Sequence, residues 1–468
     1  MTSTDVRQDA RITITSKGRS HFVRVPIVLT LFAVPLTAQT PDLPPEAVPE
    51  LPGAGRPVAI EAHQARRNAL LDRIGNGVVA VRAGSQSDLE RLVIQDNDFR
   101  QDDYFFYLTG IETPDAWLLL TVSDDGARDV VLYLPKRNPG REQWTGRKLG
   151  PGEDAVRLTG IDDVRELALD DLGRDIDAAV SRISGPLYTT DTTLEIGAGS
   201  WQGRLKNVVP IMDSMRLVKD SVELAALRRA IYITTEAHKA AMRTAHPGMY
   251  EYQLEATIEY TFRNMGADRV GFPSIVGSGP NSTVLHYDIN RRKMAEGDLV
   301  VMDIGAEYGQ YTADVTRTIP VGGQFTGRQR EIYNLVLGAQ RAALESIRPG
   351  VTVRDLNQVA RGYMARNSGN ICGTQSCERY FIHGLSHWLG MRVHDVGDYS
   401  LRLEPGMVLT IEPGLYIPGE DLGIRIEDDV LVTETGYEIL SIGAPKSIEE
   451  IERLMQSSSR PKTGGSGS

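Results

Sequence analysis

Residues 299–318 read Leu-Val-Val-Met-Asp-Ile-Gly-Ala-Glu-Tyr-Gly-Gln-Tyr-Thr-Ala-Asp-Val-Thr-Arg-Thr. The alternating pattern on either side of a glycine predicts a β-hairpin that turns at Tyr308-Gly309, because glycine readily adopts the positive φ of a tight turn. A two-residue turn at this place sets Asp303 opposite Asp314, with their Cβ atoms roughly 5 Å apart. The other face of the hairpin is expected to point into the core with Met302, Ile304, Ala313 and Val315.

Two carboxylates that face each other repel unless something neutralises them. A shared proton or a bound cation would neutralise Asp303 and Asp314, and two solvated aspartates are the alternative. A second pair of acids favours the cation. Glu412 and Glu427 each end a strand-like apolar run, and a carboxylate in such a buried setting needs a partner.

Three of the eight histidines, His383, His387 and His394, lie within twelve residues of one another. One such histidine would more often be structural, but three beside two pairs of carboxylates indicate a metal site. Two aspartates, two glutamates and one histidine can hold two divalent metals about 3.5 Å apart. Their oxygen ligands favour manganese or cobalt, with zinc as an alternative. The spacing differs from the short His-Glu-x-x-His motif, which disfavours a single-zinc protease.

Length, composition and charge further limit the classes of protein to which this chain can belong. A chain of 468 residues is too long for one compact core, so two domains are expected. Its 41% apolar and 24% charged residues are typical of a soluble globular protein. The formal net charge of −11 repels phosphate backbones, and nucleic acid is therefore not an expected partner.

Residues 59–210 are predicted to form an N-terminal α/β domain, because strand-like runs alternate with helical periods such as Asp162–Asp171. A long helical pattern with Ser221 as its N-cap then opens a second domain, 217–452. The boundary is placed between 205 and 217. The strand-like runs are Gly77–Ala83, Ala116–Val122 and Asp129–Leu134.

The second domain contains an internal repeat. Pro247-Gly248 precedes a helical run to about Met265, and Pro349-Gly350, 102 residues later, precedes another to about Asn367. In each case a long helix comes before the Pro-Gly pair and strands follow the second helix. Two copies of such a unit predict a pseudo-symmetric domain with its site between the halves.

The N-terminus has the order of a secretory signal. Basic residues precede the apolar run Val25–Leu36, which ends close to Ala38. Residues 1–38 are therefore predicted to be a signal peptide of an exported, periplasmic or secreted protein, with a disordered extension as the alternative. The run is shorter than the roughly 20 residues of a membrane span, so no stable membrane insertion is expected. Residues 39–58 are interpreted as a linker, and residues 457–468 as a disordered or appended tail.

The only cysteines, Cys372 and Cys377, lie in a loop-like stretch. A disulfide is favoured over free thiols, because an exported protein matures in an oxidising compartment. A zinc knuckle would need two further soft ligands, which are not present at that spacing.

Several short motifs surround the candidate ligands, and two further segments lie in the first domain. Those of the second domain are Asp303-Ile-Gly-Ala with Asp314, His383-Gly-Leu-Ser-His387-Trp-Leu-Gly with His394, Thr410-Ile-Glu412-Pro-Gly and Arg425-Ile-Glu427-Asp. Those of the first domain are Phe99-Arg-Gln-Asp-Asp-Tyr-Phe-Phe-Tyr-Leu-Thr-Gly110 and Gln143-Trp-Thr-Gly-Arg-Lys-Leu-Gly150.

These motifs resemble aminopeptidase P, a proline-specific member of the pita-bread metallopeptidases. The resemblance implies an N-terminal α/β domain followed by a pseudo-two-fold pita-bread (creatinase/aminopeptidase-like) α+β domain. It implies release of the first residue from Xaa-Pro peptides through a water or hydroxide that bridges two metals, for which the carboxylate ligands favour manganese. It also implies a homo-oligomer.

The resemblance assigns roles residue by residue. The implied metal ligands are Asp303, Asp314, His387, Glu412 and Glu427. Glu412 is the natural general base, and by analogy His286 and His394 contact the scissile region. His383 lines the proline side, with support from Arg425 and Tyr416.

Three alternatives remain beside this reading. An Xaa-Pro dipeptidase (prolidase) shares the whole metal cage and differs in how far the cleft extends beyond the second residue. A metal-free peptide-binding protein would be expected to have lost ligands. A creatinase-like hydrolase keeps the fold without this carboxylate cage.

Overall fold

The structure is a computed structural model that describes residues 60–85, 99–190 and 201–458. The predicted signal peptide, 1–38, and linker, 39–58, lie outside these residues. In the described part of the chain, none of the helices is both long and apolar enough to cross a membrane.

The first part of the chain forms a six-stranded mixed sheet. The three strands predicted from the sequence are confirmed, with shifts of one residue at their ends. In chain order the strands are β1 (Gly77–Arg82), β2 (Trp117–Val122), β3 (Arg128–Leu134), β4 (Asp163–Glu166), β5 (Leu187–Thr189) and β6 (Leu205–Asn207).

The sheet order is β4-β3-β2-β1-β5-β6, and helices cover both faces. Alternate residues of β1 enter two different apolar clusters, Val79 with the core that contains Leu70 and Val78 with the core that contains Leu172. This alternation is what a strand buried on both faces requires, and it confirms the predicted α/β class. The helices of this part are α1 (Ile60–Ile74), α2 (Asp103–Thr109), α3 (Pro139–Thr145), α4 (Glu153–Thr159), α5 (Leu169–Arg182) and α6 (Val209–Leu217).

The helix predicted over Asp162–Asp171 is wrong. Its first part is the edge strand β4, which pairs in parallel with β3, and α5 begins only at Leu169. The backbone hydrogen bonds to β3 stabilise the strand more than such a short helical pattern can stabilise a helix. Asp170 and Asp171 lie in the first turn of α5, where acidic side chains interact favourably with the helix dipole.

The second part of the chain repeats a pair of helices. The Pro-Gly pairs separate the two helices of each unit, and two isolated β-bridges, Tyr250 with Lys293 and Thr352 with Arg402, occupy corresponding places after them. The predicted repeat is thus present. The helices are α7 (Ser221–Thr244), α8 (Glu251–Asn264), α9 (Gly327–Leu344), α10 (Val353–Asn367) and α11 (Ile448–Ser458).

Two helix ends differ from prediction. Asp220, not Ser221, caps α7, because its carboxylate accepts from the backbone N–H groups of Val222 and Glu223 in a capping box. Helix α11 ends at Ser458, so the first two residues of the predicted tail, 457–468, are helical. The rest of that tail lies outside the described residues.

The strands of the second part form small antiparallel sheets between the helix pairs. β8, β9 and β12 form one sheet, β13, β16 and β17 another, and β14 pairs with β15. β7, β10 and β11 form a third three-stranded sheet. These strands are β7 (Arg269–Val270), β8 (Ile275–Ser278), β9 (Leu299–Ile304), β10 (Ala306–Tyr308), β11 (Tyr311–Thr312), β12 (Val315–Pro320), β13 (Val408–Ile411), β14 (Gly414–Ile417), β15 (Leu422–Arg425), β16 (Asp428–Val432) and β17 (Tyr437–Ile439).

A partly buried ionic network joins the two parts. Arg100 pairs with Asp103 and with Glu307 of β10, each at 2.7 Å, and it also donates to the carbonyl of Met391. Asp103 in turn accepts from Arg392 at 2.6 Å. The first part of the chain therefore contacts both the hairpin and the segment that follows His387.

Cys372 and Cys377 form a disulfide, as predicted. The bond closes a short loop between α10 and the histidine segment. Cys377 is fully buried in the core of the second part, so the loop is anchored at the end nearer to the histidines.

Candidate metal centre

The hairpin turns one residue later than predicted. Tyr308 pairs with Tyr311, which leaves Gly309 and Gln310 as the central residues, both with positive φ (59° and 63°). A type I′ turn needs a positive φ at both of these positions, and the preceding tyrosine cannot supply it as readily as glycine does.

The predicted direct pairing of the two aspartates is therefore wrong. Thr316 stands opposite Asp303, and Asp314 lies two residues away from Thr316. Because the register differs from prediction by two positions, both aspartates still point to the same face as diagonal neighbours. The apolar residues predicted for the opposite face are fully buried.

Backbone pairing brings the histidine segment beside Glu412. The chain around His387 runs along β13, with hydrogen bonds from Thr410 N–H to the carbonyl of His387 and from Glu412 N–H to the carbonyl of Leu385. The Nε2 atom of His387 then lies 3.6 Å from Glu412 Oε1. The same atom lies 3.2 Å from Asp314 Oδ2, so the second half of the domain reaches the hairpin of the first.

Glu427 completes the acidic cluster from the short link between β15 and β16. Its Oε1 lies 3.9 Å from His387 Nε2, and its Oε2 accepts from the hydroxyl of Thr316 at 2.7 Å. Asp314, His387 and Glu427 each offer a ligand atom, and these atoms lie within 4.8 Å of one another. This separation suits a common metal ion.

A cavity of about 320 Å³ contains all nine of the predicted site residues in its lining. They are His286, Asp303, Asp314, His383, His387, His394, Glu412, Arg425 and Glu427.

Sequence reasoning missed four other lining residues and one supporting residue. Gly384 and Ser386 lie inside the motif between His383 and His387, which could have revealed them, whereas nothing in the sequence marks Leu285 or Tyr399. Thr316, which binds Glu427, would have followed from the correct hairpin register.

Arg425 holds one side of the cluster. Its Nη2 atom donates to Asp303 Oδ2 at 2.6 Å, and its Nε atom donates to the hydroxyl of Thr316 at 3.0 Å. Burial works against the ionisation of Asp303, but the guanidinium of Arg425 outweighs it and keeps the pKa of that carboxyl below its ordinary value.

A chain of hydrogen bonds leads from Arg425 to His383. Arg425 Nη1 donates to the hydroxyl of Tyr416 at 3.0 Å, and that hydroxyl lies 2.8 Å from Nε2 of His383. Nδ1 of His383 lies 2.8 Å from the carbonyl of Gly384, which can only accept, so this nitrogen carries the proton. Burial and the nearby guanidinium lower the pKa of His383 to about 4, which keeps the ring neutral at pH 7.

His394 approaches the cluster from the solvent side. Its ring meets that of His387 edge-on, with 4.4 Å between the centroids. Partial burial, together with His387 and His286, lowers the pKa of His394, so it is neutral at pH 7. A neutral ring at the cavity wall is able to donate a hydrogen bond to a substrate oxygen.

The carboxylates fit divalent metal ions. Asp303 Oδ1 and Asp314 Oδ1 are buried without a hydrogen-bond partner among the described residues, which is costly for acids unless a cation binds them. Burial and neighbouring carboxylates raise the pKa values of Asp314 and Glu427 well above the ordinary range in the absence of a cation. A cation would remove this repulsion, and four carboxylates with one imidazole are a suitable donor set for it.

Comparison with known proteins also identifies a metallopeptidase. Residues 225–434 match metallopeptidase family M24, and residues 63–184 match the aminopeptidase P N-terminal domain. Xaa-Pro aminopeptidase of Escherichia coli is 37% identical over 436 residues, which cover 85% of this chain and 98% of that protein. The chain belongs to the Xaa-Pro aminopeptidase family of M24 metallopeptidases.

Solved structures of this family superpose on the chain. Aminopeptidase P from E. coli with the inhibitor Pro-Leu matches with a TM-score of 0.77 and 35% identity, covering 86% of this chain and 99% of that one. The zinc-substituted E. coli enzyme in complex with product also matches with a TM-score of 0.77 and 35% identity. This match covers 86% of this chain and 100% of that one. The family, the enzyme class and the pita-bread fold predicted from the sequence are thereby confirmed.

Proposed function

We propose that this aminopeptidase P homologue releases the N-terminal residue from peptides that carry proline in the second position. The observation that carries the proposal is a complete set of five ligand side chains around one cavity in a member of this family. The proposed ligands of two divalent metals are Asp303, Asp314, His387, Glu412 and Glu427.

Manganese is the proposed native metal, because the donor set is mainly hard carboxylate oxygen. Cobalt and zinc are the alternatives, and the zinc-substituted E. coli relative shows that zinc can be bound by that enzyme. When bound, two such ions polarise the scissile carbonyl and lower the pKa of a water molecule at the centre.

Glu412 is the proposed proton carrier. Burial raises the pKa of Glu412 to about 7 in the metal-free protein, so its carboxylate has appreciable affinity for a proton at neutral pH. The group would take the proton of the attacking water and return it to the imino nitrogen of proline, which needs a proton to leave.

Three histidines are proposed to bind the substrate. His286 and His394 would donate hydrogen bonds to the scissile carbonyl oxygen as it gains negative charge. His383, held by Tyr416 and Arg425, would line the proline side. The free N-terminal amine would bind near the carboxylates, and this contact places the cut after the first residue.

The shape of the cleft supports an aminopeptidase over a dipeptidase. Next to Gly384 and Ser386 the metal cavity adjoins a larger cavity of about 1010 Å³. The space is therefore not closed beyond the second substrate residue, as it would have to be in an enzyme restricted to dipeptides.

Release of arginine from Arg-Pro-Pro by metal-stripped protein, with and without added manganese, tests the proposal. Metal-dependent release is expected. Hydrolysis of Ala-Pro without turnover of the tripeptide would favour the dipeptidase. No release with manganese, cobalt or zinc would contradict the proposed activity.

Export and self-association are further proposals. The N-terminal pattern supports export, and the Cys372–Cys377 disulfide suits an oxidising compartment. Mass spectrometry of the exported protein is expected to find a chain that begins after Ala38.

Light scattering is expected to give the mass of a homo-oligomer, and a monomeric mass would contradict that proposal.

A further inference from the structure

The larger cavity begins where the metal site ends. Three residues, Gly384, Ser386 and Tyr399, line both spaces. The remaining wall of the larger cavity comes from Thr352 and the first turns of α10, and from Leu385, Ser400 and Arg402. At about 320 Å³ the metal cavity lies at the small end of ligand pockets, so a longer peptide needs this second space.

The position of the second cavity relates it to the leaving part of the substrate. Gly384 directly follows His383, which the proposed function places on the proline side. A peptide bound with its first residue at the carboxylates and its proline near His383 therefore continues toward Ser386 and Tyr399. This step rests on the proposed function.

Two polar atoms in this wall have no partner. Ser386 Oγ and Asn357 Oδ1 are both buried, and neither makes a hydrogen bond within the described part of the chain. Unpaired buried oxygens are costly. An extended peptide carries backbone N–H groups, which are the kind of donor that both oxygens lack.

The charge of the wall is positive, although the chain as a whole is acidic. Arg354 and Arg402 are exposed at the rim and form no ion pair with any described residue. Arg402 donates only to the carbonyl of Gly350. The one acidic lining residue, Asp355, already accepts from the backbone N–H and the hydroxyl of Thr352 at the start of α10.

We propose that this cavity binds the substrate residues that follow proline and favours a carboxylate there, through Arg354 and Arg402. The carboxylate comes from the C-terminus of a short peptide or from an acidic side chain of a longer one. Both sources present the same group to the arginines, whose planar donors suit a carboxylate.

Peptides that differ only in this group test the proposal. Ala-Pro-Ala-Ala is compared with its C-terminal amide, and Ala-Pro-Ala-Glu-amide with Ala-Pro-Ala-Gln-amide. Each carboxylate peptide is expected to have a kcat/KM about tenfold higher than its neutral partner, as one charge-assisted contact provides. The first pair of peptides measures the effect of a C-terminal carboxylate. The second pair measures the effect of a side-chain carboxylate.

The variant Arg354→Gln/Arg402→Gln is expected to remove this preference in both pairs without changing metal content. Arg348→Gln is the matched control, because this exposed arginine precedes Pro349-Gly350 but does not line the cavity. The control is expected to keep the tenfold ratio.

Equal kcat/KM for the carboxylate and neutral peptides, or a preference that survives the double substitution, would overturn the inference. In both cases cleavage of the Ala-Pro bond itself would continue, so the proposed function would stand. Failure to cleave any of the four peptides with metal present would instead reject the proposed function and this inference with it.

Discussion

Among the candidate ligands, Asp314 has the carboxylate whose negative charge is least stabilised by neighbouring groups. One of its oxygens has no partner in the described residues, and Asp303 and Asp429 are its charged neighbours. We expect Asp314→Asn to abolish Xaa-Pro cleavage, because the amide cannot bind a metal as a carboxylate does. Elemental analysis should show loss of metal from the purified variant. Near-normal turnover would contradict the dinuclear centre.

A substitution at His394 distinguishes a role in substrate binding from a role in metal binding. Its ring lies beside the proposed ligand His387 and is exposed at the cavity wall. We expect His394→Ala to retain its metal and to lose roughly a hundredfold or more in kcat, as removal of one donor to a developing oxyanion does. Loss of metal in this variant would show that His394 is a ligand instead.

Glu412 should couple stability to pH in the metal-free protein. Its folded pKa, about 7, lies above the ordinary 4.5, so its stabilising contribution is present at low pH and is lost as pH rises through 7. The buried His63 and His238, whose pKa values are lowered to about 3, work in the opposite direction.

The difference between wild type and Glu412→Gln isolates this effect. In EDTA, the variant should gain roughly 2 to 3 kcal/mol in unfolding free energy relative to wild type between pH 5 and pH 8. Urea unfolding at the two pH values measures it. A difference that does not change with pH would mean that Glu412 ionises normally.

Residue type and apolar context made the acids and histidines of this site predictable. An acid at the end of an apolar strand stands out because burying it is costly. Thr316 and Tyr399 do not stand out, since threonine and tyrosine are ordinary in strands and at half-buried positions. Their parts in the site depend on strand register and loop position, which a single sequence does not specify.

At the scale of elements, the hairpin turn places a non-glycine residue in a positive-φ conformation. Gln310 has a φ of 63° and a side chain only 1% exposed, whose amide atoms have no partner among the described residues. We expect Gln310→Gly to raise the unfolding free energy by about 1 kcal/mol, because glycine adopts this φ without strain.

Gly309→Ala is the matched variant. At a φ of 59° it should lower the unfolding free energy by a similar amount. Chemical denaturation of both variants checks the pair. Destabilisation by Gln310→Gly would show that the buried amide makes a favourable contact.

Strands and the helix repeat were predictable because their periodicity extends over many residues. The turn was placed one residue early, since the glycine could stand at either central position of the turn. The strand β4 was mistaken for helix because it is short and lies at the sheet edge. Its identity comes from pairing with β3 rather than from its own residues.

At the scale of the whole molecule, Asp103 joins the two parts of the chain. It is 5% exposed and accepts from Arg100 and Arg392, and the latter directly follows Met391 in the segment that leads to His394. We expect Asp103→Asn to lower the unfolding free energy by about 2 kcal/mol, since the neutral amide loses the charge-assisted bonds to Arg100 and Arg392.

The same variant should lower kcat while metal content stays unchanged, because the segment with His394 loses an anchor. Asp72→Asn is the control, since the ion pair of Asp72 with Arg128 is exposed and should contribute little. Unaltered stability in Asp103→Asn would contradict a joining role for this network.

The duplicated halves of the second part contribute unequally to the proposed ligands. Asp303 and Asp314 come from the first half, whereas His387, Glu412 and Glu427 come from the second. Neither half alone supplies all five proposed ligands, so the complete site requires both halves to have docked. With this ligand set, metal uptake would report that both halves have folded, and a chain that stops before β13 would lack Glu412 and Glu427.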